Sequence, residues 1–202
     1  MFKVGITGNI GSGKTTVCKV FEVLGIPVFY ADDAAKRVMV EDAVLIEGIM
    51  QTFGAKSYFE DGTLNRKHIA GIVFNNPDEL AKLNALVHPA TFRAFDVWVQ
   101  QFKDRTDIPY VLKEAAVLFE SGSYKMCHRS LMVSAPLDIR VKRVMQRDGI
   151  TQEEVQSRNA RQMSEEQKLD MANDKIINDD TELVIPQVLY LHKLYLSLAK
   201  SE

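Results

Sequence analysis

The sequence predicts an α/β fold with three layers: a parallel central sheet between helices, extended by a helical insertion and a helical lid. Apolar runs at residues 2–7 and 26–31 flank an amphipathic helical pattern, and this strand–helix–strand order is typical of a parallel sheet. Further strand-like runs lie at 110–112, 116–120, 130–134 and 175–178. Helical signals dominate from about 34 to 107, a stretch longer than a crossover between strands requires.

The composition indicates a protein of one domain that binds neither nucleic acid nor a membrane surface. The chain has 202 residues, 46% of them hydrophobic, and a net charge of −2. Without a basic excess, neither nucleic acid nor a membrane surface is expected, and no protein partner is implied. Cys18 and Cys127 lie far apart and lack metal-ligand spacing. The first strand starts near residue 2 and leaves no room for a targeting peptide, so a cytoplasmic location is expected.

Residues 8–15, Gly-Asn-Ile-Gly-Ser-Gly-Lys-Thr, match the phosphate-binding loop pattern Gly-x4-Gly-Lys-Ser/Thr without a mismatch. A strand enters this loop and a helix leaves it, which is the context that the motif needs. We therefore predict a P-loop NTPase fold in which backbone N–H groups and the helix N-terminus bind ATP phosphates. Lys14 is expected to reach the β- and γ-phosphates as a catalytic residue, and the Thr15 hydroxyl to bind Mg²⁺. The predicted ATP-binding loop residues are Gly11, Ser12, Gly13, Lys14, Thr15 and Thr16.

Asp32 follows the second strand and is the candidate for acid–base chemistry. The carboxyl ends of parallel strands share one edge of the sheet, so this carboxylate is expected to face the phosphate loop. Phosphoryl transfer needs a group that orients the acceptor hydroxyl and takes its proton. The neighbouring Asp33 is expected to cap the next helix.

The middle of the chain predicts a substrate-binding insertion, about residues 34–107. One of its helices is expected to start at Asn76–Pro77, where Asn caps and Pro occupies the first turn, and to end at His88–Pro89.

A cationic helix and two capped helices predict a mobile lid at about residues 140–165. The cations are Arg140, Lys142, Arg143 and Arg147, and capping boxes begin at Thr151 and Ser164. Because these like charges repel one another and gain little from burial, the segment should open easily, with Asp148–Gly149 as a hinge. It should close over bound phosphates. The core is then expected at about 1–33, 108–139 and 173–202.

A phosphate loop alone fits several classes of protein. A GTPase is disfavoured because the chain has no Asn-Lys-x-Asp run for guanine. A motor ATPase is disfavoured because residues 111–114 are a poor match to the Walker B motif, an apolar strand that ends in Asp-Glu. A dinucleotide-binding fold is disfavoured by the order of the glycines and by the Lys14–Thr15 pair. A small-molecule kinase remains, with nucleoside and nucleoside monophosphate kinases among the alternatives.

Across nearly its whole length, the sequence resembles the dephospho-CoA kinase family. The family's opening Gly-Leu-Thr-Gly-Gly-Ile-Gly-Ser-Gly-Lys-Ser-Thr-Val is similar to residues 5–17, and its Asp-Gly-x-Leu-Asp-Arg is similar to 61–66. Leu118–Glu120 resembles the end of Pro-Leu-Leu-Phe-Glu, and residues 158–162 match Arg-x3-Gln. The final strand, residues 172–178, resembles Ala-Asp-x-Val-Ile-x-Asn.

The resemblance implies phosphorylation of the ribose 3′-hydroxyl of dephospho-CoA by ATP with Mg²⁺. It implies that lid arginines Arg143 and Arg147, and Asn178 near the adenine, contact ATP. For the acceptor, the implied residues are Asp32, Arg66, His88, Arg93 and Glu120.

Four positions depart from the family pattern, and none lies in the phosphate loop. Tyr30 replaces the first Asp of Asp-Ala-Asp, which leaves Asp32 alone for acid–base work. Ala116 replaces a Pro, Asn173 an Asp and Asp180 a Gly, and the last two bear on the adenine contacts.

Overall fold

The computed structural model describes residues 1–201 and contains a five-stranded parallel sheet with the strand order β2-β3-β1-β4-β5. This confirms the predicted α/β class. β1 is buried along almost its whole length, as expected of a central strand covered on both faces. The strands are β1 (Phe2–Thr7), β2 (Val28–Tyr30), β3 (Tyr110–Glu114), β4 (Arg129–Ser134) and β5 (Asp174–Ile177).

Nine α-helices connect or extend the strands in the described part of the chain. They are α1 (Lys14–Val23), α2 (Ala31–Glu41), α3 (Ala43–Phe53), α4 (Arg66–Val73), α5 (Pro77–Gln100), α6 (Leu137–Asp148), α7 (Gln152–Ala160), α8 (Glu165–Met171) and α9 (Val184–Ala199). Short 3₁₀ turns occur at Ala55–Ser57 and Ser123–Met126.

The chain divides into two compact units. The first comprises Met1–Tyr30 and the chain from Gln101 onward, and it contains the whole sheet. Its core joins apolar residues of four strands to one face each of α1 and α9. The second unit, Ala31–Gln100, is helical and has its own core, contributed by α2, α3, α4 and α5.

Several predicted helix starts are confirmed by their caps. Asn76 Oδ1 accepts the N–H groups of Asp78 and Glu79 at 3.2 and 3.3 Å, where α5 begins. Both predicted capping boxes are formed, at Thr151 for α7 and at Ser164 for α8.

The predicted end of α5 at His88–Pro89 is wrong, because this helix continues through Pro89 to Gln100. Proline removes one backbone hydrogen bond and usually bends or ends a helix. Here Val87 and Ala90, on either side of Pro89, are both buried in the core of the helical unit. Tertiary packing of the apolar face therefore holds the helix together where local propensity would end it.

Residues 116–120 form turns after β3 instead of the expected strand. β3 already has β1 and β2 as neighbours, so the following chain has no free sheet edge at that position. Leu118 and Phe119 are apolar because they are buried, at 0% and 4% exposure, without pairing in the sheet.

Asp33 does not cap α2, contrary to the expectation. The helix begins two residues earlier, at Ala31, so Asp33 lies within its first turn. Its carboxylate pairs with Lys36 at 2.8 Å, and an acid in the first turn also interacts favourably with the helix dipole.

Candidate active site

The phosphate loop lies between β1 and α1, and its glycines are required by its shape. Gly11 and Gly13 have φ angles of 81° and 86°, the left-handed region that favours glycine. A Cβ on Gly13 would overlap the Asn178 side-chain amide, and one on Gly11 would overlap the Arg140 carbonyl. The loop therefore presents bare backbone at the start of α1, which fits the binding of a phosphate.

Side chains from inside and outside the loop hold its backbone at both ends. The Asn178 amide donates to the Ser12 carbonyl at 2.8 Å. Lys14 Nζ donates to the Gly8 carbonyl, also at 2.8 Å, and lies 3.9 Å from the carboxylate of Glu114, which is buried at the end of β3. Lys14 is thus folded back over the loop, and its contact with nucleotide phosphates stays a prediction.

The amino-terminal half of the loop is held by the connection between α7 and α8. The Ile10 N–H donates to Gln162 Oε1 at 2.9 Å, and the Asn9 amide donates to the Met163 carbonyl at 3.0 Å. Sequence reasoning did not assign Gln162 to the site. The available signal was the Arg-x3-Gln resemblance at residues 158–162.

Thr15 and Thr16 lie in the first turn of α1, and both are exposed. The first turn contains no acidic residue, so no carboxylate within that turn neutralises the positive end of the helix. The Thr15 hydroxyl is consequently accessible to a metal ion that arrives with a nucleotide. Residues 1–201 contain no group of three or more His, Cys, Asp or Glu side chains that could hold a metal by themselves.

The structure brings Arg143 and Asn178 to the loop, two of the residues implied by resemblance. The Arg143 guanidinium lies 3.5 Å from the Gly11 carbonyl and 3.5 Å from Asn178 Oδ1. Its short contact is an ion pair with the carboxylate of Asp180.

Arg147 contacts a neighbour instead of the loop. Its Nε lies 2.6 Å from the carboxylate of Asp148, which is also 3.5 Å from Arg158. The hydrogen bond with Asp148 raises the pKa of the Arg147 guanidinium and lowers that of the carboxyl. The role of Arg147 in binding ATP therefore stays a prediction.

The expected lack of burial in the lid is wrong for Arg140. This side chain is 4% exposed, and it donates to the Ala135 carbonyl at 2.9 Å and to Asn159 Oδ1 at 2.7 Å. Its remaining nitrogen pairs with Glu165 at 3.2 Å. Arg140 therefore joins α6 to α7 and α8. Around it the segment has a small apolar core, formed by Val141, Val144 and Val155 with Ile10 and Ile150.

Glu120, implied as a substrate residue, also has a structural contact. Its carboxylate accepts the Met163 N–H at 2.9 Å and pairs with Lys168 Nζ at 2.9 Å. Lys168 is fully buried and donates to the Ala116 carbonyl at 2.8 Å. Lys168 contacts the backbone carbonyl of Ala116, and the proline that the family has at this position would offer the same carbonyl. Whether Glu120 also binds a substrate stays a prediction.

Two more positions that depart from the family pattern, Asn173 and Tyr30, make hydrogen bonds within the fold. Asn173 Oδ1 accepts the Ser130 N–H at 2.8 Å, so the side chain joins the start of β5 to β4. The Tyr30 hydroxyl donates to Glu22 at 3.1 Å, and burial raises the pKa of this hydroxyl.

The remaining predicted residues belong to the helical unit. Asp32 is exposed in the first turn of α2, two residues after β2 ends, and Arg66 is exposed at the first position of α4. Arg93 pairs with Asp42 at 2.6 Å, and the same carboxylate caps α3. The His88 ring stacks on Phe92 with 6.3 Å between ring centroids.

Cys18 lies on α1, four residues after Lys14, and is fully buried. Burial raises the pKa of its thiol, and likewise raises the pKa of Cys127 to about 11. Both cysteines are free thiols. No helix in the described chain has the length and apolar character needed to cross a bilayer.

Comparison with known proteins agrees with this geometry. The family model for dephospho-CoA kinase matches residues 2–184. A dephospho-CoA kinase from Salinibacter ruber is 40% identical over 181 residues, which are 90% of each chain.

Solved structures show the same likeness. TT1252 from Thermus thermophilus has a TM-score of 0.82 and 34% identity, with 96% of each chain covered. Dephospho-CoA kinase from Campylobacter jejuni has a TM-score of 0.66 and 27% identity, with 98% of each chain covered. The phosphate loop and the matches along nearly the whole chain lead to one conclusion: this chain belongs to the dephospho-CoA kinase family.

Proposed function

We propose that this protein transfers the γ-phosphate of ATP to the ribose 3′-hydroxyl of dephospho-CoA, giving coenzyme A and ADP. The observation that carries the proposal is the phosphate loop, whose glycine backbone, Lys14 and first turn of α1 have the shape and charge that suit a nucleotide phosphate chain. The family match selects the acceptor. The protein is proposed to act in the cytoplasm, because free thiols are typical of a reducing compartment.

Charge neutralisation is the first part of the proposed mechanism. Negative charge spreads over the transferred phosphoryl group as the bond to the leaving oxygen breaks. Lys14 is already held in the loop by the Gly8 carbonyl, so little reorganisation is required for its ammonium group to stabilise that charge. Arg143, which lies beside Gly11, would add a second positive charge.

Magnesium fits this site as a partner of the nucleotide. Mg²⁺ prefers oxygen ligands and is commonly held by one or two protein oxygens together with substrate phosphates. The Thr15 hydroxyl would be the protein ligand, and the described residues offer no carboxylate or imidazole cluster that would bind the ion alone. When bound, the ion supplies further neutralisation of the phosphate charge.

Asp32 is the proposed acid–base residue. The 3′-oxygen forms a bond to the γ-phosphorus, the bond from phosphorus to the leaving ADP oxygen breaks, and the hydroxyl proton passes to the Asp32 carboxylate. Two features support this assignment. The residue follows the carboxyl end of β2 by two positions, and its side chain is exposed to an incoming substrate. Its family counterpart is retained here, although Tyr30 has replaced the neighbouring acid.

The helical unit is proposed to bind the rest of the acceptor. The candidates within this unit are Arg66, Arg93 and His88. The family resemblance gives Glu120 as a separate candidate. Arg66 is exposed and Arg93 is held by only one carboxylate, so cationic groups remain available for the acceptor's phosphates.

The test is a panel of acceptors at saturating MgATP: dephospho-CoA, nucleosides, nucleoside monophosphates and shikimate. Dephospho-CoA should give the highest kcat/KM, and the product should be CoA, with the new phosphate on the ribose 3′-oxygen. A nucleoside or nucleoside monophosphate with a kcat/KM about tenfold higher would contradict the assignment and favour another kinase of this fold.

A further inference from the structure

The turn that follows β5 contains an unusual backbone conformation. Asp180 has a φ of 68°, and within residues 1–201 it is the one residue other than glycine with a positive φ. Aspartate adopts the left-handed region more readily than most residues, yet still at some cost in free energy. Residual strain of this kind is often retained where the side chain has a function.

The turn itself does not need the Asp180 carboxylate. The neighbouring Asp179 accepts the N–H groups of Thr181 and Glu182, both at 2.9 Å, and the Thr181 hydroxyl at 2.8 Å. These hydrogen bonds lower the pKa of Asp179 to about 2. Because Asp179 satisfies the turn, the Asp180 side chain is left for another contact.

That contact is with Arg143, the arginine beside the phosphate loop. The guanidinium pairs closely with the Asp180 carboxylate, whereas its distances to the Gly11 carbonyl and Asn178 Oδ1 are 3.5 Å, at the outer limit for a hydrogen bond. The carboxylate is therefore the strongest partner of Arg143 in the nucleotide-free protein.

We propose that Asp180 is a competing counter-ion that holds Arg143 until ATP displaces it, and that it thereby lowers the affinity for ATP. This inference rests on the proposed ATP site. The pair is solvent-accessible, with side chains 68% and 26% exposed for Asp180 and Arg143, so the interaction is weak enough to exchange. A triphosphate carries more negative charge than one carboxylate and offers the planar guanidinium several oxygens, so Arg143 favours the nucleotide once it is bound.

Calorimetric titration with a non-hydrolysable ATP analogue and Mg²⁺ tests the proposal. The variants are Asp180→Asn, which keeps the size and the tolerance for a positive φ, Arg143→Gln, and the double variant. Asp180→Asn should tighten binding about two- to fivefold, as expected for loss of an exposed ion pair. Arg143→Gln should weaken binding, and in its background Asp180→Asn should have no effect.

Asp107→Asn is the matched control. Asp107 also pairs with an arginine, Arg105, at 2.7 Å, and neither residue is a candidate for nucleotide binding, so binding should change less than twofold. Melting temperatures of all variants verify that each is folded.

Four outcomes would overturn the inference. Unchanged binding by Asp180→Asn would mean that the Asp180 carboxylate does not compete with ATP for Arg143. Weaker binding would mean that it orients Arg143 for the nucleotide. Equal tightening with and without Arg143 would mean that Asp180 repels phosphates directly. No binding by the wild-type protein would refute the ATP site, and the inference with it. Because no acceptor is present, failure of the dephospho-CoA assignment leaves these results unaffected.

Discussion

The phosphate loop and the helical unit hold their candidate residues in different ways. In the loop, side chains distant in sequence fix the backbone itself: Asn178 binds Ser12, and Gln162 binds Ile10. In the helical unit, candidate residues contact other side chains instead of backbone, as in the Arg93–Asp42 pair and the stacking of His88 on Phe92, and many helical proteins have such contacts. A site made of backbone therefore restricts its sequence strongly, whereas a site made of exposed side chains on helices restricts it little.

This difference has a physical origin. The loop glycines are required by positive φ angles and by the close approach of Asn178 and Arg140, so few sequences can form it. An exposed arginine on a helix satisfies the same local requirements whether or not it binds a substrate. Four substitutions test this difference, and they follow in order of decreasing expected effect on activity or stability.

Lys14→Ala should have the largest effect. The variant loses a preorganised charge at the transferred phosphoryl group, so kcat should fall about 10²- to 10³-fold. Steady-state kinetics and a melting curve test this, with Lys19→Ala on the same helix as the control because Lys19 is exposed and pairs only locally with Glu22. A normal kcat combined with a lower melting temperature would mean that Lys14 serves the loop's structure alone.

Asp32→Asn should lower kcat about 10²-fold while ATP affinity changes little, because the substitution removes basicity and keeps shape. The paired control is Asp33→Asn. Asp33 is exposed and bound to Lys36, so its loss should leave kcat nearly unchanged. Equal losses at the two positions would show that the acid–base role has been assigned to the wrong residue or is shared.

Arg140→Ala should mainly destabilise the fold, by about 3 kcal/mol, since removing one member of a buried, hydrogen-bonded pair leaves its partners unsatisfied. Arg147→Ala should leave the melting temperature nearly unchanged, because the Arg147 side chain is 64% exposed, and it should raise the KM for ATP. Chemical denaturation and ATP kinetics on both variants separate the roles. A stability loss of similar size at both positions would contradict the distinction.

Arg93→Ala should raise the KM for dephospho-CoA about fivefold, with kcat within a factor of two, if the helical unit binds the acceptor through this cation. Asp42→Asn is the control, because asparagine caps a helix about as well as aspartate and the change removes only the charge beside Arg93. Kinetics at varied dephospho-CoA measures both. An unchanged KM with a lower melting temperature in Arg93→Ala would mean that Arg93 serves only α3.

The sequence predicted the parts of the fold that rest on local rules. The parallel sheet, the phosphate loop and the caps at Asn76, Thr151 and Ser164 follow from periodicity, glycine positions and side-chain chemistry. The errors occur where packing overrides those rules. α5 continues through Pro89 because both sides of the break are buried, and the apolar run after β3 is buried without joining the sheet.

The partners of charged side chains were the other part that sequence alone did not provide. Arg140 and Arg143 lie three residues apart in one cationic helix, yet one is buried among hydrogen-bond acceptors and the other lies beside the loop. Their neighbours, Asn159 and Asn178, come from segments distant along the chain, and only the fold brings them together. The roles of Asp32, Arg66, His88 and Arg93 stay predictions.

The buried position of Cys18 has a consequence for the response of this protein to oxidants and alkylating agents. Its sulfur lies one helical turn beyond Lys14, where modification would disrupt the start of α1. Thiolate is the reactive form, and burial both raises the pKa of this thiol and excludes reagents from it. The fold therefore keeps an oxidisable group next to the phosphate loop in its less reactive form and out of contact with solvent.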